Sequence, residues 1–468
     1  MALARSVTLS NGLILAVEEQ PWNPGVAMQL LLPVGAVTDP EGLEGAANLL
    51  EGWLWKGAGG RDARALAEAF DDLGVRRGSA AGLEYTTLGA SFLAGQLEKV
   101  LALYADVLMR PALPEEAFET VRQVALQELA SLEDQPPKKM FTALRRAVFT
   151  SPHGRNPSGT LEGLQAATPE ALRADFARRY RAQGSILALA GGITLERAQA
   201  AVEATLGLWR GGEGDDPLRD GASSVHPGDD PLSGRARPVH PGGDPLSGRL
   251  AAVHPVAAPA PAVSQPHSLR LEQHGAQVQI GLIYPDVSID HPEFYTARLA
   301  AQVLSGGMGA RLFVEVREKR GLVYSVYASP NGVKGYSYLS AYAGTTPERA
   351  EETLRVLRAE IEGLAQGVSA EELERAKVGL RTMLVMQEES ARSRAASMAR
   401  DLYLLGRVRS LEEIEAAIAA VNLERINRYL AENPYRDPWT AVLGPVDHVA
   451  SQSNPHGHQH EIQGNPSR

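Results

Sequence analysis

The 468-residue sequence contains no cysteine, which excludes disulfides, thiolate metal ligands and cysteine nucleophiles but leaves the redox compartment open. It also has no excess of positive charge, because 46 Lys and Arg stand against 56 Asp and Glu, for a formal net charge of -10. No cluster of Lys and Arg interleaves with aromatic residues. These features argue against nucleic acid as a partner.

Long apolar runs are missing as well. No stretch approaches the ~20 apolar residues that a membrane helix needs, so we expect no membrane partner. The N-terminal stretch MALARSVTLSNGLILAVEEQ has only the short run LILAV before two glutamates, and it lacks the apolar core of a signal peptide. With 44% apolar residues, the chain is long enough for two or more domains. We expect a globular cytoplasmic protein.

A tandem repeat lies between two longer segments of ordinary composition. VHPGDDPLSGRARP begins at Val225, VHPGGDPLSGRLAA at Val239, and a third VHP at Val253. Such a mixture of Pro, Gly, Asp and Ser buries too little apolar surface to offset the entropy of ordering the chain. We predict a flexible linker over residues 211–266.

The linker separates an N-terminal domain, residues 1–210, from a C-terminal domain, residues 267–447. Residues 448–468 are predicted to form a disordered tail, in which the three histidines of HGHQHE could bind a transition metal loosely. Each domain begins with β-rich sequence, continues with two helices and a strand pair, and ends with long amphipathic helices and a strand. This parallel order indicates duplication.

The order of elements also predicts the fold class. Strands and helices do not alternate as regular βαβ units, so we predict an α+β fold in which each domain is a mainly antiparallel sheet with helices packed on one face. Asn11 and Gly12 suit a tight hairpin turn, and Asp62 and Gly74 suit the start and end of a helix.

Two motifs, one in each half, carry a family resemblance. GLEGAANLLEGWLWKG spans Gly42 to Gly57, and the second half contains LSGGMGARLFVEVREKRGLVYSVYAS. Together they resemble the inverted-motif zinc metallopeptidases, the family of pitrilysin, insulin-degrading enzyme and mitochondrial processing peptidase. The resemblance covers roughly residues 5–210 and 268–445. That family carries HxxEH within a pattern like GxAHxxEHxxFKG, and the matching residues here are Gly45, Ala47, Glu51, Lys56 and Gly57.

Both histidines of the motif are absent, since Asn48 and Gly52 stand in their places. Imidazoles at i and i+4 share one helical face and can hold one zinc ion, while a glutamate beside the second activates the bound water. An Asn amide is a poor zinc ligand, Gly has no side chain, and no histidine precedes His153. The resemblance implies that Glu128 matches the third zinc ligand. We predict no zinc in this chain and interpret Glu51 and Glu128 as partly exposed relics, with an unorthodox metal site or a structural hydrogen-bonding role as alternatives.

The second motif is better preserved. The resemblance implies that Arg317 and Tyr324 match an arginine and a tyrosine that reach the substrate near the zinc, from the later lobe or from a partner subunit. Gly321 suits the end of a helix, which would place Arg317 on its last turn and Tyr324 on the next strand. An arginine at a helix end and a strand tyrosine can also be purely structural.

A glycine-rich stretch precedes this pair. Gly306, Gly307 and Gly309 occupy the place of the longer, glycine-rich substrate loop in the non-catalytic subunit of mitochondrial processing peptidase, so the resemblance implies a substrate-binding role. The stretch lacks the lysine of a phosphate loop and the spacing of a dinucleotide fingerprint. Glycines between two helices are also common in plain connections.

These observations lead to one functional hypothesis and two rivals. We predict a non-catalytic, substrate-binding subunit of a heteromeric zinc metallopeptidase, in which a homologous chain with an intact HxxEH motif supplies the zinc and this chain binds unfolded peptide. The first rival is an inert structural scaffold, like the core proteins of the respiratory cytochrome complex. The second is a peptide-binding homodimer. A neighbouring reading frame that encodes an HxxEH chain would favour the first hypothesis.

Overall fold

The computed structural model describes residues 4–210, 262–388 and 390–445. The predicted tandem-repeat linker, up to residue 261, and the predicted tail lie outside these residues. Where the described chain resumes, the N–H of Thr150 donates to the carbonyl of Ala262 at 3.0 Å, and Val263 forms a bridge with Phe149. Residues 262–264 of the predicted linker thus contact the first half.

The described part of the first half contains eight strands and eight α-helices. The strands are β1 (Arg5–Thr8), β2 (Ile14–Glu19), β3 (Gly25–Leu32), β4 (Gly57–Ala58), β5 (Arg61–Asp62), β6 (Arg76–Ala81), β7 (Thr86–Leu93) and β8 (Ile186–Gly191). The helices are α1 (Ala46–Leu54), α2 (Ala63–Asp71), α3 (Leu97–Met109), α4 (Glu115–Ala130), α5 (Pro136–Val148), α6 (Leu161–Ala166), α7 (Pro169–Arg179) and α8 (Leu195–Leu206).

The described part of the second half contains five strands and six α-helices. The strands are β9 (Ser268–Glu272), β10 (Val278–Asp286), β11 (Ser325–Val333), β12 (Tyr336–Thr345) and β13 (Trp439–Gly444). The helices are α9 (Phe294–Ser305), α10 (Ala350–Glu362), α11 (Ala370–Glu388), α12 (Ala391–Leu405), α13 (Leu411–Ala419) and α14 (Leu423–Glu432), together with a π-helix (Phe313–Glu318). No helix in these described ranges is long and apolar enough to cross a membrane.

Each half is built on one large sheet, which confirms the predicted α+β class. The strand order is β1-β2-β8-β3-β7-β6 in the first half and β11-β12-β10-β13-β9 in the second. All pairs are antiparallel except β2 with β8 and β13 with β9. β4 and β5 form a separate small hairpin. Both sheets are therefore mainly antiparallel, as the absence of regular βαβ units predicted.

Short-range signals in the sequence placed several element ends correctly. Gly12 has φ +84° in the turn between β1 and β2, and the Asn11 side chain accepts a hydrogen bond from the N–H of Leu13. Asp62 caps α2 by accepting from the N–H of Ala65 at 2.8 Å, and Gly74 has φ +65° after the helix. These positions need a side-chain acceptor or a left-handed backbone, which the residues present supply.

The prediction that helices cover only one face of each sheet is wrong. Along β3, Val26, Met28 and Leu30 pack into the core under the helices of the first half, whereas Ala27 and Leu31 point to the opposite face. That opposite face is covered by apolar residues of α12, from the other half of the chain. Strand side chains alternate between faces, so a strand apolar on both sides indicates cover on both sides.

The second sheet receives a helix from the first half in return. Met140, Leu144 and Val148 of α5 pack against β10 and β13. Gly281 of β10 permits this approach, because a Cβ there would lie 2.5 Å from Cε of Met140. The two halves thus exchange helices, and each sheet is completed by the other half.

The predicted helix at ARLFVEVREKRG is also different from expectation. Its central part, Phe313–Glu318, is a π-helix, and the N–H of Lys319 donates to the carbonyl of Val314 at 2.9 Å. Gly321 follows it with φ +61°, and its N–H donates to the carbonyl of Arg317. The end of the helix was therefore predicted correctly, but its π-helical hydrogen-bond pattern was not.

Candidate functional site

Helix α1 carries the residues of the first motif, and a buried carboxylate holds its N-terminus. Gly45 precedes the helix with φ +107° and has no side chain to cap it. Asp39 replaces the missing cap, because its carboxylate accepts from the N–H groups of Gly45 at 2.8 Å and Ala47 at 2.9 Å. These bonds satisfy donors that a helix end otherwise leaves free.

Asp39 in turn belongs to a buried ionic cluster. Arg179 binds Asp175 through bonds of 2.9 and 2.8 Å from Nε, and its Nη2 lies 3.3 Å from Oδ1 of Asp39. Burial raises the pKa of Asp39 above its ordinary range, while Arg179 and the two helix N–H groups oppose that shift. The cluster fixes where α1 begins, and with it the positions of Asn48, Glu51 and Gly52.

Glu51 is bonded to neighbouring elements. Its carboxylate accepts a hydrogen bond from the hydroxyl of Ser79 on β6 and one of 3.3 Å from the indole N–H of Trp55. The same indole N–H lies 2.9 Å from Oγ of Ser79. The structure therefore supports the hydrogen-bonding alternative for Glu51, which joins α1 to β6.

The other positions of the motif offer no ligand set. Asn48 is half-buried on α1, and Gly52 faces α4, where an added Cβ would lie 3.4 Å from Cγ1 of Val121. Glu128 is exposed on α4. Across the described ranges, no three His, Cys, Asp or Glu residues group closely enough to hold a metal ion.

In the second half, Arg317 and Tyr324 are both exposed to solvent. Arg317 lies on the π-helix, with its guanidinium 5.0 Å from the ring centre of Phe313. Tyr324 is 74% exposed and lies immediately before β11. The prediction that Tyr324 belongs to the strand is thus wrong by one residue, although its N–H donates to Gly344 at 3.2 Å. Neither Arg317 nor Tyr324 has a carboxylate partner among the described residues.

The glycine-rich stretch forms the connection between α9 and the π-helix. Gly306, Gly307 and Gly309 are all exposed, and Gly307 has φ +144° with open space where a Cβ would be. The guanidinium of Arg375 on α11 donates to the carbonyl of Gly309 at 2.9 Å. A side chain on α11 therefore fixes one end of this loop.

Three residues that shape the first motif could not be recognised from the motif itself: Asp39, Ser79 and Arg179. Asp39 lies six residues before Gly45, outside the usual capping position, and Arg179 belongs to a distant helix. Ser79 belongs to β6, whose sequence RRGSAA has few strand-forming residues. The one available signal was the sequence DPEGLEGA, in which an acid precedes a helix that has no cap of its own.

Two models of known protein families match this chain, one for each half. Residues 14–160 match a family model described as Insulinase (Peptidase family M16), and residues 166–380 match one described as Peptidase M16 inactive domain. The chain belongs to the insulinase family of peptidases. This membership confirms the resemblance drawn from the two motifs, with the zinc motif degenerate.

Several similar proteins span nearly the whole chain. An uncharacterized zinc protease of Mycobacterium tuberculosis is 28% identical over 457 residues, covering 96% of this chain and 95% of its own. An uncharacterized zinc protease of Rickettsia bellii is 27% identical over 445 residues, covering 93% of this chain and 96% of its own. A Pseudomonas fluorescens structure described as a peptidase M16 inactive domain has a TM-score of 0.79 at 20% identity, covering 95% of this chain and 98% of its own. A structure of a protease from Helicobacter pylori has a TM-score of 0.78 at 18% identity, covering 95% of this chain and 100% of its own.

The zinc implied by this family does not fit the residues present on α1. Asn48 offers an amide, Gly52 offers no side chain, and Glu51 is bonded to Ser79 and Trp55. Zinc sites use imidazole, thiolate or carboxylate ligands converging on one point. This insulinase-family chain has the family fold around the motif but neither of its two imidazole ligands.

Proposed function

We propose that this insulinase-family protein is a non-catalytic, substrate-binding subunit of a heteromeric zinc metallopeptidase that acts in the cytoplasm. A homologous partner with an intact HxxEH motif supplies the zinc and the base. The observation that carries the proposal is the contrast between the halves. The first motif has lost its zinc ligands, whereas Arg317 and Tyr324 are retained and exposed.

The environment of Arg317 supports a binding role. Its neighbours Lys319 and Arg320 are both paired with Glu315, at 2.6 and 2.9 Å. The guanidinium of Arg317 lies over the ring of Phe313 and has no carboxylate partner in the described part of the chain. A free guanidinium can donate charge-assisted hydrogen bonds to a peptide carbonyl, or to the oxyanion that forms when the carbonyl is attacked. The phenol of Tyr324 can donate a second bond.

The glycine loop adds space for a substrate backbone. Gly306, Gly307 and Gly309 leave the surface before the π-helix without side chains, except for Met308, which is 81% exposed. The carbonyl of Gly309 is bonded to Arg375 and that of Gly307 to the N–H of Ala310, and the loop backbone groups that remain can form hydrogen bonds with an extended peptide. Unfolded peptide is therefore the proposed substrate class.

The test mixes this chain with a homologue that carries an intact HxxEH motif and follows cleavage of an unstructured fluorogenic peptide. We expect activity that neither chain shows alone. Arg317→Ala and Tyr324→Phe should each lower kcat by ~10²-fold if the lost bond acts on the transition state. Arg320→Ala and Tyr336→Phe are matched controls, because Arg320 pairs with Glu315 and the hydroxyl of Tyr336 is buried without a hydrogen bond in the described chain.

Assembly of each variant is checked by gel filtration and thermal melting, so that loss of activity is not loss of the complex. Full activity of both assembled variants would contradict the assigned role of the pair. A partner that is fully active alone would favour the structural scaffold. Peptide binding by a stable dimer of this chain, without any active partner, would favour the homodimer.

A further inference from the structure

A short segment, residues 321–324, joins the π-helix to β11 and so connects Arg317 to Tyr324. The N–H of Gly321 donates to the carbonyl of Arg317 at 3.0 Å. Gly321 is exposed and has φ +61°, whereas Leu322 and Val323 are buried in the core of the second half. The chain therefore changes direction at Gly321. The position of this glycine determines how the helix end that carries Arg317 lies relative to Tyr324.

The end of β12 holds the second part of this segment. The N–H of Tyr324 donates to the carbonyl of Gly344 at 3.2 Å, and the hydroxyl of Thr345 donates to the carbonyl of Leu322 at 2.6 Å. Thr345 is buried and accepts a hydrogen bond of 3.1 Å from the hydroxyl of Thr353 on α10. The backbone at Tyr324 is thus fixed by buried groups of the sheet and of α10.

Arg349 holds the first part of the segment. Its Nη1 donates to the carbonyl of Gly321, while the N–H of the same glycine is bonded to the carbonyl of Arg317. Gly321 is therefore fixed from two sides, by the π-helix through its N–H and by Arg349 through its carbonyl. A hydrogen bond from a guanidinium is charge-assisted and is stronger than one between neutral groups.

The position of Arg349 is unfavourable for a cation. Arg349 immediately precedes α10, at the N-terminal end of that helix, where the helix dipole is positive and a side-chain acceptor is preferred. Its side chain makes no capping hydrogen bond, and it has no carboxylate within ion-pair distance in the described part of the chain. Stability of α10 therefore does not explain an arginine here, whereas the bond to Gly321 does.

We infer that Arg349 is a positioning residue, which sets the placement of Arg317 relative to Tyr324. The inference rests on the proposed function, in which these two side chains donate hydrogen bonds to one peptide substrate. Arg349 acts through the backbone of Gly321 and not on the substrate itself. Two donors that serve one reacting group must both be correctly placed, and a shift of about 1 Å can cost as much as ~10²-fold in rate.

Steady-state kinetics of the complex with an HxxEH-bearing homologue test this inference. R349M should lower kcat by about 10-fold and change KM by less than about 2-fold, because the peptide still binds but the donors are displaced. R349K keeps a cationic donor and should recover most of that loss. R355M removes the same charge from an exposed arginine of α10 that pairs with Glu352, and this matched control should leave kcat unchanged.

A double-mutant cycle separates positioning from a general structural effect. If Arg349 acts through the pair, R349M should lower kcat by less than about 2-fold when Arg317→Ala or Tyr324→Phe is already present. The same ~10-fold loss in those backgrounds would show that Arg349 does not act through Arg317 and Tyr324, and it would overturn the inference.

Hydrogen–deuterium exchange of the full-length chain alone gives a readout that does not depend on activity. The N–H groups of Gly321 and Tyr324 are both hydrogen-bonded, so they are protected while the segment is held in place. R349M should accelerate exchange in peptides that cover residues 321–324, and R355M should not. Arg349 is exposed, so we expect its replacement to leave exchange in the rest of the chain unchanged. Unchanged exchange over residues 321–324 would overturn the anchoring by Arg349.

The outcomes distinguish this inference from the function on which it rests. Full activity of R349M, in assembled complexes where Arg317→Ala and Tyr324→Phe are slow, would overturn the positioning role and leave the proposed function intact. Full activity of Arg317→Ala and Tyr324→Phe would overturn the role proposed for the pair, and the positioning role with it.

Discussion

The carboxylate of Glu84 in the first half accepts a hydrogen bond of 3.0 Å from the backbone N–H of Lys334 in the second. The hydroxyl of Tyr403 on α12 donates to the same carboxylate at 3.1 Å. Glu84 is only 8% exposed and lies in the turn between β6 and β7. One buried acid therefore joins the β6–β7 turn to two separate elements of the other half.

Titration of Glu84 should make this contact sensitive to pH. Burial raises the pKa of Glu84 above its ordinary value of 4.5, against the opposing bonds from Lys334 and Tyr403. The folded state therefore holds the proton more tightly than the unfolded state, and the stability contributed by Glu84 falls as pH rises from about 4.5 through the raised pKa. Glu84→Gln keeps an acceptor oxygen without the charge.

We expect the melting temperature of Glu84→Gln to exceed that of the parent chain by an amount that grows with pH across this window. Melting curves between pH 4.5 and 8.5 provide the measurement, with Glu424→Gln, at an exposed position of α14, as the control. A constant difference across the range would show that Glu84 does not titrate at this contact.

The buried cluster under α1 predicts a large difference between two adjacent arginines. Arg179 binds Asp39 and Asp175 and is buried, whereas Arg178 binds Asp175 and its side chain is 41% exposed. Arg179→Met should lower the free energy of unfolding by about 3–5 kcal/mol, because it leaves the carboxylate of Asp39 buried without a cation and leaves Asp175 with only the ion pair from Arg178. Arg178→Met should cost about 0–1 kcal/mol. Urea denaturation of both variants measures the difference, and similar losses would contradict the role given to Arg179.

Packing of α5 on the second sheet can be tested at Gly281. Gly281→Ala should lower the free energy of unfolding by about 1 kcal/mol, because the new methyl group overlaps Met140. Met140→Ala alone should cost about 2–5 kcal/mol from the cavity it leaves. In the double variant the methyl group occupies part of that cavity, so the combined loss should be smaller than the sum. Strict additivity in a double-mutant cycle would mean that the two residues are not in contact.

The residues of α1 also predict the metal content of the purified chain. Because Asn48 and Gly52 supply no imidazole, we expect far less than one zinc per chain by elemental analysis. A variant that ends at residue 447 controls for loose binding by the histidines of the C-terminal segment. One zinc per chain in this variant, lost in Glu51→Gln or Glu128→Gln, would contradict the prediction.

Local signals in the sequence were enough to predict the type of most helices and strands and the positions of many of their ends. The Asp62 cap and the left-handed Gly74 each depend on neighbours within a few residues. A strand pair was predicted after the first two helices, but its first member, β6, was not located, because RRGSAA has little strand propensity and becomes a strand only by pairing with β7. The π-helix was not predicted either, since its apolar pattern resembles that of an ordinary helix.

The candidate site was predictable only where a motif could be matched residue by residue. Glu51, Arg317 and Tyr324 were found in this way. The partners that determine the present role of Glu51 were not, because Ser79 lies on a strand that the pattern did not show. The cover of the first sheet by α12 depends on contacts between residues hundreds of positions apart, such as the buried ion pair between Glu18 and Arg394.

The exchange of α5 and α12 between the halves bears on how the gene can be divided. A polypeptide that ended within residues 211–261 would contain α5 without the sheet it covers, and its own sheet would lack α12. Both fragments would expose an apolar sheet face, which favours aggregation in isolation. Recombinant production as two open reading frames would therefore require co-expression, and a shuffled family member could not inherit one half without a compatible version of the other.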